Sequence, residues 1–452
     1  MIHKFIFDGV RLVLDVNSGA LHLVDRVVWN LLEEYPGLQR EELVARYTDV
    51  YSRQEVAGAI EEIEQLAHQG LLFAGDPLGG AWEPPGHRIV KALCLHLAHT
   101  CNLKCSYCFA GQGSFGEPAG LMPLAVGQQA IDFLLAASGP RRHVEVDFFG
   151  GEPLLNFSVL EHLVNYGREK ASLLGKEIKY TVTTNAVQLN DRIGDYLDDN
   201  RISVILSLDG RREVHDRLRV FPGGRGSYEI VANNISRFLD SHPKVDYYLR
   251  GTFTRYNLDF ASDVLHMVDL GFPRVSVEPV VAFEGEDYAL REEDLPLVYA
   301  EYEHLTRELL ARSRRGQQVD FYHFNIDMEE GACLPKRLSG CGAGYEYLAV
   351  TYKGDLYPCH QFVGRPEYRM GDVYKGIVRD DLRDLFRHAH VYSKEDCRAC
   401  WARFYCSGGC HANAHAFNGS IHKPYQLACR LMRKRLECAL YLQAWRTLEG
   451  GW

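Results

Sequence analysis

Residues 91–108 read KALCLHLAHTCNLKCSYC. An apolar run of strand type ends at Thr100, and three cysteines follow in the spacing C-x3-C-x2-C: Cys101, Cys105 and Cys108. Thiolates are soft ligands that favour zinc, copper(I) or iron–sulfur clusters. A 4Fe–4S cube has four iron corners, so three cysteines on one tight loop can hold three of them and leave the fourth open. An open corner can bind a substrate directly, as catalytic zinc sites do. Two other readings remain at this point: a zinc site with a distant fourth ligand, and a coincidence of buried cysteines.

Outward from that stretch, strands and helices alternate. HVEVDFFGG (143–151), IKYTVTTNA (178–186), RISVILSLDG (201–210), VDYYLRGTFT (245–254) and PRVSVEPVV (273–281) read as strands, each followed by a helical pattern. With 91–100 they make six β-α units, which predicts an α/β fold with a parallel sheet and right-handed crossovers. Six units are too few to close an eight-stranded barrel, so the expectation is an open, partial (β/α)6 barrel. Ligands in such folds sit at the C-terminal strand ends, where CNLKCSYC, FGGEP, TTNA and SLDG all fall.

Before the barrel, VRLVLDV (10–16) and LHLVD (21–25) flank NSGA as a hairpin, and three helical patterns follow. Ser52 with Glu55 reads as a capping box opening the last of these, and Gly70 as its stop. This predicts a winged-helix-like module over 1–80, joined by the Gly- and Pro-rich GDPLGGAWEPPG (75–86). The barrel is expected over 81–320. Beyond it, over 321–452, the alternation stops and cysteine density rises.

The formal charge of −10 leaves no basic footprint for nucleic acid. No apolar run reaches the ~18 residues needed to span a bilayer, and MIHKFIFDGV has no signal-peptide core. A cytoplasmic location is therefore expected. Thiols stay reduced there, so the 13 cysteines read as metal or redox ligands, not as a disulfide framework. Apart from the first loop and Cys94, they lie between 333 and 438. CGAGYEYLAVTYKGDLYPC (341–359) has the form C-x12-G-x4-C, with a hairpin around KGD that places Cys359 on the return strand. CRACWARFYCSGGC (397–410) has the form C-x2-C-x5-C-x3-C, and Cys429 follows. Two zinc ions are the plain alternative for this field. Cys94 and Cys438 read as core residues.

The loops over 91–281 resemble those of the radical SAM superfamily. The resemblance implies that Cys101, Cys105 and Cys108 hold a 4Fe–4S cluster whose fourth iron chelates S-adenosylmethionine. It implies methionine-binding roles for Gly150, Gly151 and Glu152 in GGEP, with Glu152 holding the amino group. Ser207 and Arg219 are implied at the methionine carboxylate, and the backbone of Phe109 and Ala110 at the adenine. The implied reaction is one-electron cleavage to a 5′-deoxyadenosyl radical, fed by an external one-electron reductant. Tyr107 and Phe109 are expected to shield the cluster. The second field resembles the SPASM domain, which implies two auxiliary 4Fe–4S clusters and so three clusters in all. Cys397, Cys400, Cys406 and Cys429 would hold auxiliary cluster II. Cys341, Cys359 and Cys410 would hold auxiliary cluster I. Cys333 either completes auxiliary cluster I or leaves an iron open for a substrate thiolate.

Over essentially the whole chain the text resembles maturases of SCIFF-type, six-cysteine peptides. HKFIFDGVRLVLDVNSGALHLVDRVVWNLL, CNLKCSYCFA and HDRLRVFPGGRGSYE carry this likeness. It implies an oxidoreductase that forms thioether cross-links, of the sactipeptide or ranthipeptide kind, between cysteine and an acceptor such as threonine. The partner would be a Cys-rich precursor peptide whose leader adds as a strand to the N-terminal hairpin. An anaerobic sulfatase maturase is the alternative, but such enzymes carry YPCD where this chain reads YPCH. His360 at that position is a candidate proton relay. A non-enzymatic iron–sulfur carrier or zinc regulator would leave FGGEP and Arg219 unexplained.

Overall fold

The computed structural model describes every residue except 77, 79–81, 87, 327, 329–333 and 450–452. Cys333, and with it the choice between its two readings, lies outside the described residues. The chain opens with three antiparallel strands in the order β1 (Ile2–Phe7), β2 (Val10–Asp15), β3 (Leu21–Val24). The sequence reading contained β2 and β3 but missed β1. Its turn, Asp8-Gly9, has positive φ at both residues (47° and 77°), the conformation of a tight two-residue hairpin loop. Alternation along these strands feeds two cores. Phe5, Phe7, Leu12 and Leu14 enter the main core, while Val13 packs with Val28, Leu31, Leu43, Ile60 and Ile63 in a separate one. The latter are carried by α1 (Arg26–Leu31), α2 (Arg40–Tyr47) and α3 (Arg53–His68). The Ser52–Glu55 capping box opens α3 as expected, and Gly70 (φ 70°) follows its end.

The central sheet is built from β4 (Ala92–Ala98), β5 (His143–Gly150), β6 (Glu177–Thr184), β7 (Ser203–Ser207), β8 (Tyr247–Phe253) and β9 (Arg274–Pro279). Neighbours pair in parallel in that order. The crossovers carry α4 (Leu124–Ala137), α5 (Phe157–Leu173), α6 (Asp191–Asp199), α7 (Arg212–Leu218), α8 (Tyr228–Ser241), α9 (Phe260–Asp269) and α10 (Leu295–Arg314). A short parallel strand, β10 (Asp320–Phe321), extends the β9 edge. It does not pair with β4, so the barrel stays open. Every residue of β4 is buried, as the centre of a two-sided sheet requires.

The sheet does not stop at the cysteine-rich region. β11 (Tyr347–Val350) pairs in parallel with β4, Tyr347 opposite Ala92 and Val350 opposite Leu95. The antiparallel strands β12 (Asp355–Tyr357), β13 (Gly371–Asp372) and β14 (Gly376–Ile377) continue outward to complete an 11-stranded sheet. Cys359 therefore lies just past the return strand, not on it, capping the short turn His360–Phe362. The C-terminal helix Gln426–Leu448 packs on α10 and buries Cys438. Cys94 is buried in β4. Among the described residues, no helix is long and apolar enough to cross a membrane.

Candidate active site

A cavity of ≈ 450 Å³ opens at the C-terminal ends of the barrel strands. Cys101, Cys105 and Cys108 line it from the loop after β4, Gly150 and Gly151 from the end of β5, and Ser207 and Arg219 from around α7. Across the cavity stand His360 and Asn413 of the C-terminal region. Phe109 reaches in with 55% of its surface exposed, whereas Ala110 is buried.

The first loop is zipped to its neighbours backbone to backbone. The Gly151 N–H donates to Ala98 O (2.7 Å) and the Glu152 N–H to Thr100 O (3.0 Å). A Cβ on Gly151 would sit 2.1 Å from Thr100 O, and one on Gly150, whose φ is 129°, would sit 2.3 Å from Ala98 O. Glycine is the residue that fits both positions.

Glu152 is buried. It does not line the cavity. Its buried carboxylate accepts from the Leu154 N–H (3.0 Å), the Thr184 hydroxyl (2.8 Å) and the Asn185 N–H (2.8 Å). Burial pushes its pKa up, and these donors oppose the rise. Glu152 thus ties the loop after β5 to the end of β6 and leaves the backbone of Gly150 and Gly151 facing the cavity. Glu152→Gln would turn one acceptor oxygen into a donor among donors. We expect a loss of about 2–3 kcal/mol in stability, measured by denaturant unfolding of the apoprotein.

Arg219 lines the same cavity. Its Nη1 donates to the Tyr107 hydroxyl (2.7 Å) and lies 3.6 Å from Asp209 Oδ1. The Tyr107 hydroxyl donates to Asp209 Oδ2 (2.7 Å). Although burial works against the charge, Tyr107, Cys105 and Asp209 hold the Arg219 pKa above its ordinary value. Its Nε is buried with no partner among the described residues. Tyr107 therefore clamps Arg219, and both Tyr107 and Phe109 line the cavity beside the cysteine loop. Asn185, at the end of TTNA, donates to Asn102 Oδ1 (2.7 Å) and approaches Cys101 Sγ (3.6 Å). The Leu103 N–H also reaches that sulfur (3.4 Å). Tyr107, Asp209 and Asn185 lie in loops that the sequence singled out, but their pairing across 84 residues or more had no local signal.

His360 packs at a tilt against Phe109 (5.4 Å) and Phe149 (5.0 Å). Burial, then the nearby Arg250, lowers its pKa to about 4, so it is neutral near pH 7. Its Nδ1 is buried without a partner among the described residues.

The cysteines form three groups. Cys101, Cys105 and Cys108 sense one another's charge. So do Cys341, Cys359 and Cys410, and Cys397, Cys400, Cys406 and Cys429. Burial pushes the thiol of Cys101 up to about 12 and that of Cys105 to about 11. Such thiols stay protonated until a metal displaces the proton. Among the described residues, no three His, Cys, Asp or Glu side chains converge on a single metal ion.

A family model for a 4Fe–4S single cluster domain matches residues 84–224, and one for the SPASM iron–sulfur cluster-binding domain matches residues 341–401. The chain thus carries a 4Fe–4S cluster-binding domain and a SPASM domain. The chain is 34% identical over 138 residues to an uncharacterized protein of Methanocaldococcus jannaschii. That match spans 30% of this chain and 45%, under half, of the relative. A cysteine-type anaerobic sulfatase-maturating enzyme of Clostridium perfringens is 24% identical, over 69% of this chain and 85% of the relative. Among solved structures, native anSMEcpe with bound AdoMet and the Cp18Cys peptide superposes with a TM-score of 0.65 at 20% identity, over 79% of this chain and 99% of its own. SuiB of Streptococcus suis, bound to S-adenosylmethionine, gives 0.54 at 17% identity, over 93% and 97%. These two structures share the fold of the radical SAM core and SPASM domain.

Proposed function

We propose that this chain is a radical SAM maturase that forms thioether cross-links between cysteine and an acceptor residue in a ribosomally made precursor peptide. One observation carries the reading: a single cavity is lined both by the first cysteine loop and by residues of the C-terminal region such as His360 and Asn413, so a peptide lying in it touches both regions. The cluster and S-adenosylmethionine, when bound, supply a 5′-deoxyadenosyl radical able to remove a hydrogen atom from a C–H bond. Cys101, Cys105 and Cys108 would hold that cluster. Arg219 would offer its free Nε edge to the methionine carboxylate, Ser207 a hydroxyl, and the Gly150–Gly151 backbone a close approach to the amino end. The auxiliary sets are those grouped above. Solvent reaches Cys341 and Cys410 although protein atoms crowd the latter, the character of a socket that a substrate thiol can also approach. Neutral His360, aimed into the cavity, can take the thiol proton.

The test is anaerobic incubation of reconstituted enzyme with the precursor, followed by mass spectrometry. Loss of two hydrogens per bridge with sulfur retained, and fragmentation that shows a sulfur–carbon link between two residues, support the reading. The likeness to sulfatase-maturating enzymes favours a second one, oxidation of a cysteine or serine side chain to an aldehyde. Loss of sulfur from a cysteine product would replace the first reading with the second.

The small N-terminal sheet supports leader docking. β3 ends the sheet, and its outer edge pairs with no strand among the described residues. The Asp15 N–H donates to Ala20 O (2.9 Å), so the antiparallel alternation turns the main-chain groups of Leu21 and Leu23 outward. Leu23→Pro removes an outward donor while sparing the β2 ladder. We expect leader affinity to fall about tenfold with unchanged stability, read by fluorescence anisotropy. Deleting residues 1–75 is a poorer test. His3 stacks on Trp401 (3.7 Å), next to Cys400, and Arg403 donates to Asn17 Oδ1 (2.7 Å). Deletion would strip a wall from the SPASM cysteines as well.

A further inference from the structure

Lys394 is completely buried, which is rare for a lysine without a charged partner. Its ammonium donates to Gly408 O (2.8 Å) and to His411 Nδ1 (3.3 Å). It meets no carboxylate among the described residues. A Cβ on Gly408 would sit 3.3 Å from the Lys394 Nζ, so the bare backbone there lets the ammonium in. His411 is neutral: burial, then Lys394 itself, lowers its pKa to about 3. The charges that Lys394 does feel are thiols of both SPASM sets, Cys397 and Cys406 of one and Cys410 and Cys341 of the other. The ammonium has three N–H groups, and the third has no partner among the described residues.

A lone buried ammonium is costly to keep charged. Two anionic, thiolate-ligated clusters held by those cysteines would reverse that balance. We propose that Lys394 is the shared counter-charge of the two auxiliary clusters and raises the reduction potential of both; this rests on the cluster reading above. One-electron reduction adds one negative charge to a cluster, and a fixed cation in a low-dielectric site favours the product. Arg435 and Arg433 also act on the second set, at Cys406 and Cys429. Lys394 acts on cysteines of both sets.

The experiment is an EPR-monitored redox titration of reconstituted holoenzyme carrying Lys394→Met, Lys394→Gln or Lys394→Arg, with iron analysis of each. In the Met and Gln variants the one-electron reduction equilibrium of the auxiliary clusters should shift at least about tenfold toward the oxidised form, about 59 mV. The cluster on Cys101, Cys105 and Cys108 should not move. Arg keeps the charge and should stay within about threefold of the unmodified enzyme. Loss of auxiliary iron in Met and Gln but not in Arg would equally support a counter-charge. Unchanged auxiliary midpoints at full iron, or the same shift or iron loss in all three variants, would overturn the proposal in favour of packing. If the unmodified enzyme itself holds only about four irons, the auxiliary-cluster reading has failed, independently of Lys394.

Discussion

Cys105→Ala is expected to abolish 5′-deoxyadenosine release and to remove about four of about twelve irons per chain. Cys101→Ala and Cys108→Ala should do the same. The loop offers no substitute for any of them. It is pinned to the Gly150–Gly151 turn through Ala98 O and Thr100 O, and a shift to recruit another ligand would break both bonds. Nor, among the described residues, does Cys94 offer a spare thiol: it is buried in β4 and interacts with Tyr347 and Asp147 instead. The auxiliary irons should survive, because their cysteines sit in other groups. Iron analysis together with chromatography for deoxyadenosine after reduction with dithionite checks both parts. Retained deoxyadenosine formation would remove the first loop from the chemistry. Loss of all the iron would mean that the three groups do not load independently.

Much of this was legible because its signals are local. Six strands with helical returns, the capping box at Ser52 and the cysteine spacings all lie within short windows. β1 was missed although Asp8-Gly9 is a strong hairpin signal, because the start of the chain was read only for targeting. The pairing of β11 with β4 joins residues more than 250 apart, and no pattern in either segment specifies it. The same holds inside the site. Arg219 was legible as a cation, but the buried Tyr107–Asp209 support beneath it was not. Glu152 was read as a ligand from its place after two glycines, yet tertiary neighbours Thr184 and Asn185 claim its oxygens. Lys394 looks like a surface lysine in SKEDC, and only the fold buries it.

Arg219→Met should weaken S-adenosylmethionine binding by about 10²–10³-fold, the consequence of losing one partner of a buried, hydrogen-bonded charge pair. The single substitution has a second effect that could be mistaken for the first. It leaves Asp209, fully buried, without its cation, and such a loss costs about 3–5 kcal/mol of stability. Asp209 also accepts from the Thr252 N–H (3.2 Å), so its distress would spread to the end of β8. The Asp209→Asn and Arg219→Met double variant separates the two effects. With both charges gone, the Tyr107 hydroxyl can still donate to the amide oxygen, and most of the stability should return. Binding should not return, since no guanidinium remains at the cavity wall. Arg219→Lys is the complementary probe. It keeps a charge above Asp209 but cannot present two parallel N–H groups to a carboxylate, so stability should hold while affinity falls about tenfold or more. Equilibrium dialysis with labelled S-adenosylmethionine under anaerobic conditions, alongside denaturant unfolding, reads both quantities. A double variant that binds as tightly as the unmodified enzyme would make Arg219 a support for the loop and not a ligand for the cosubstrate.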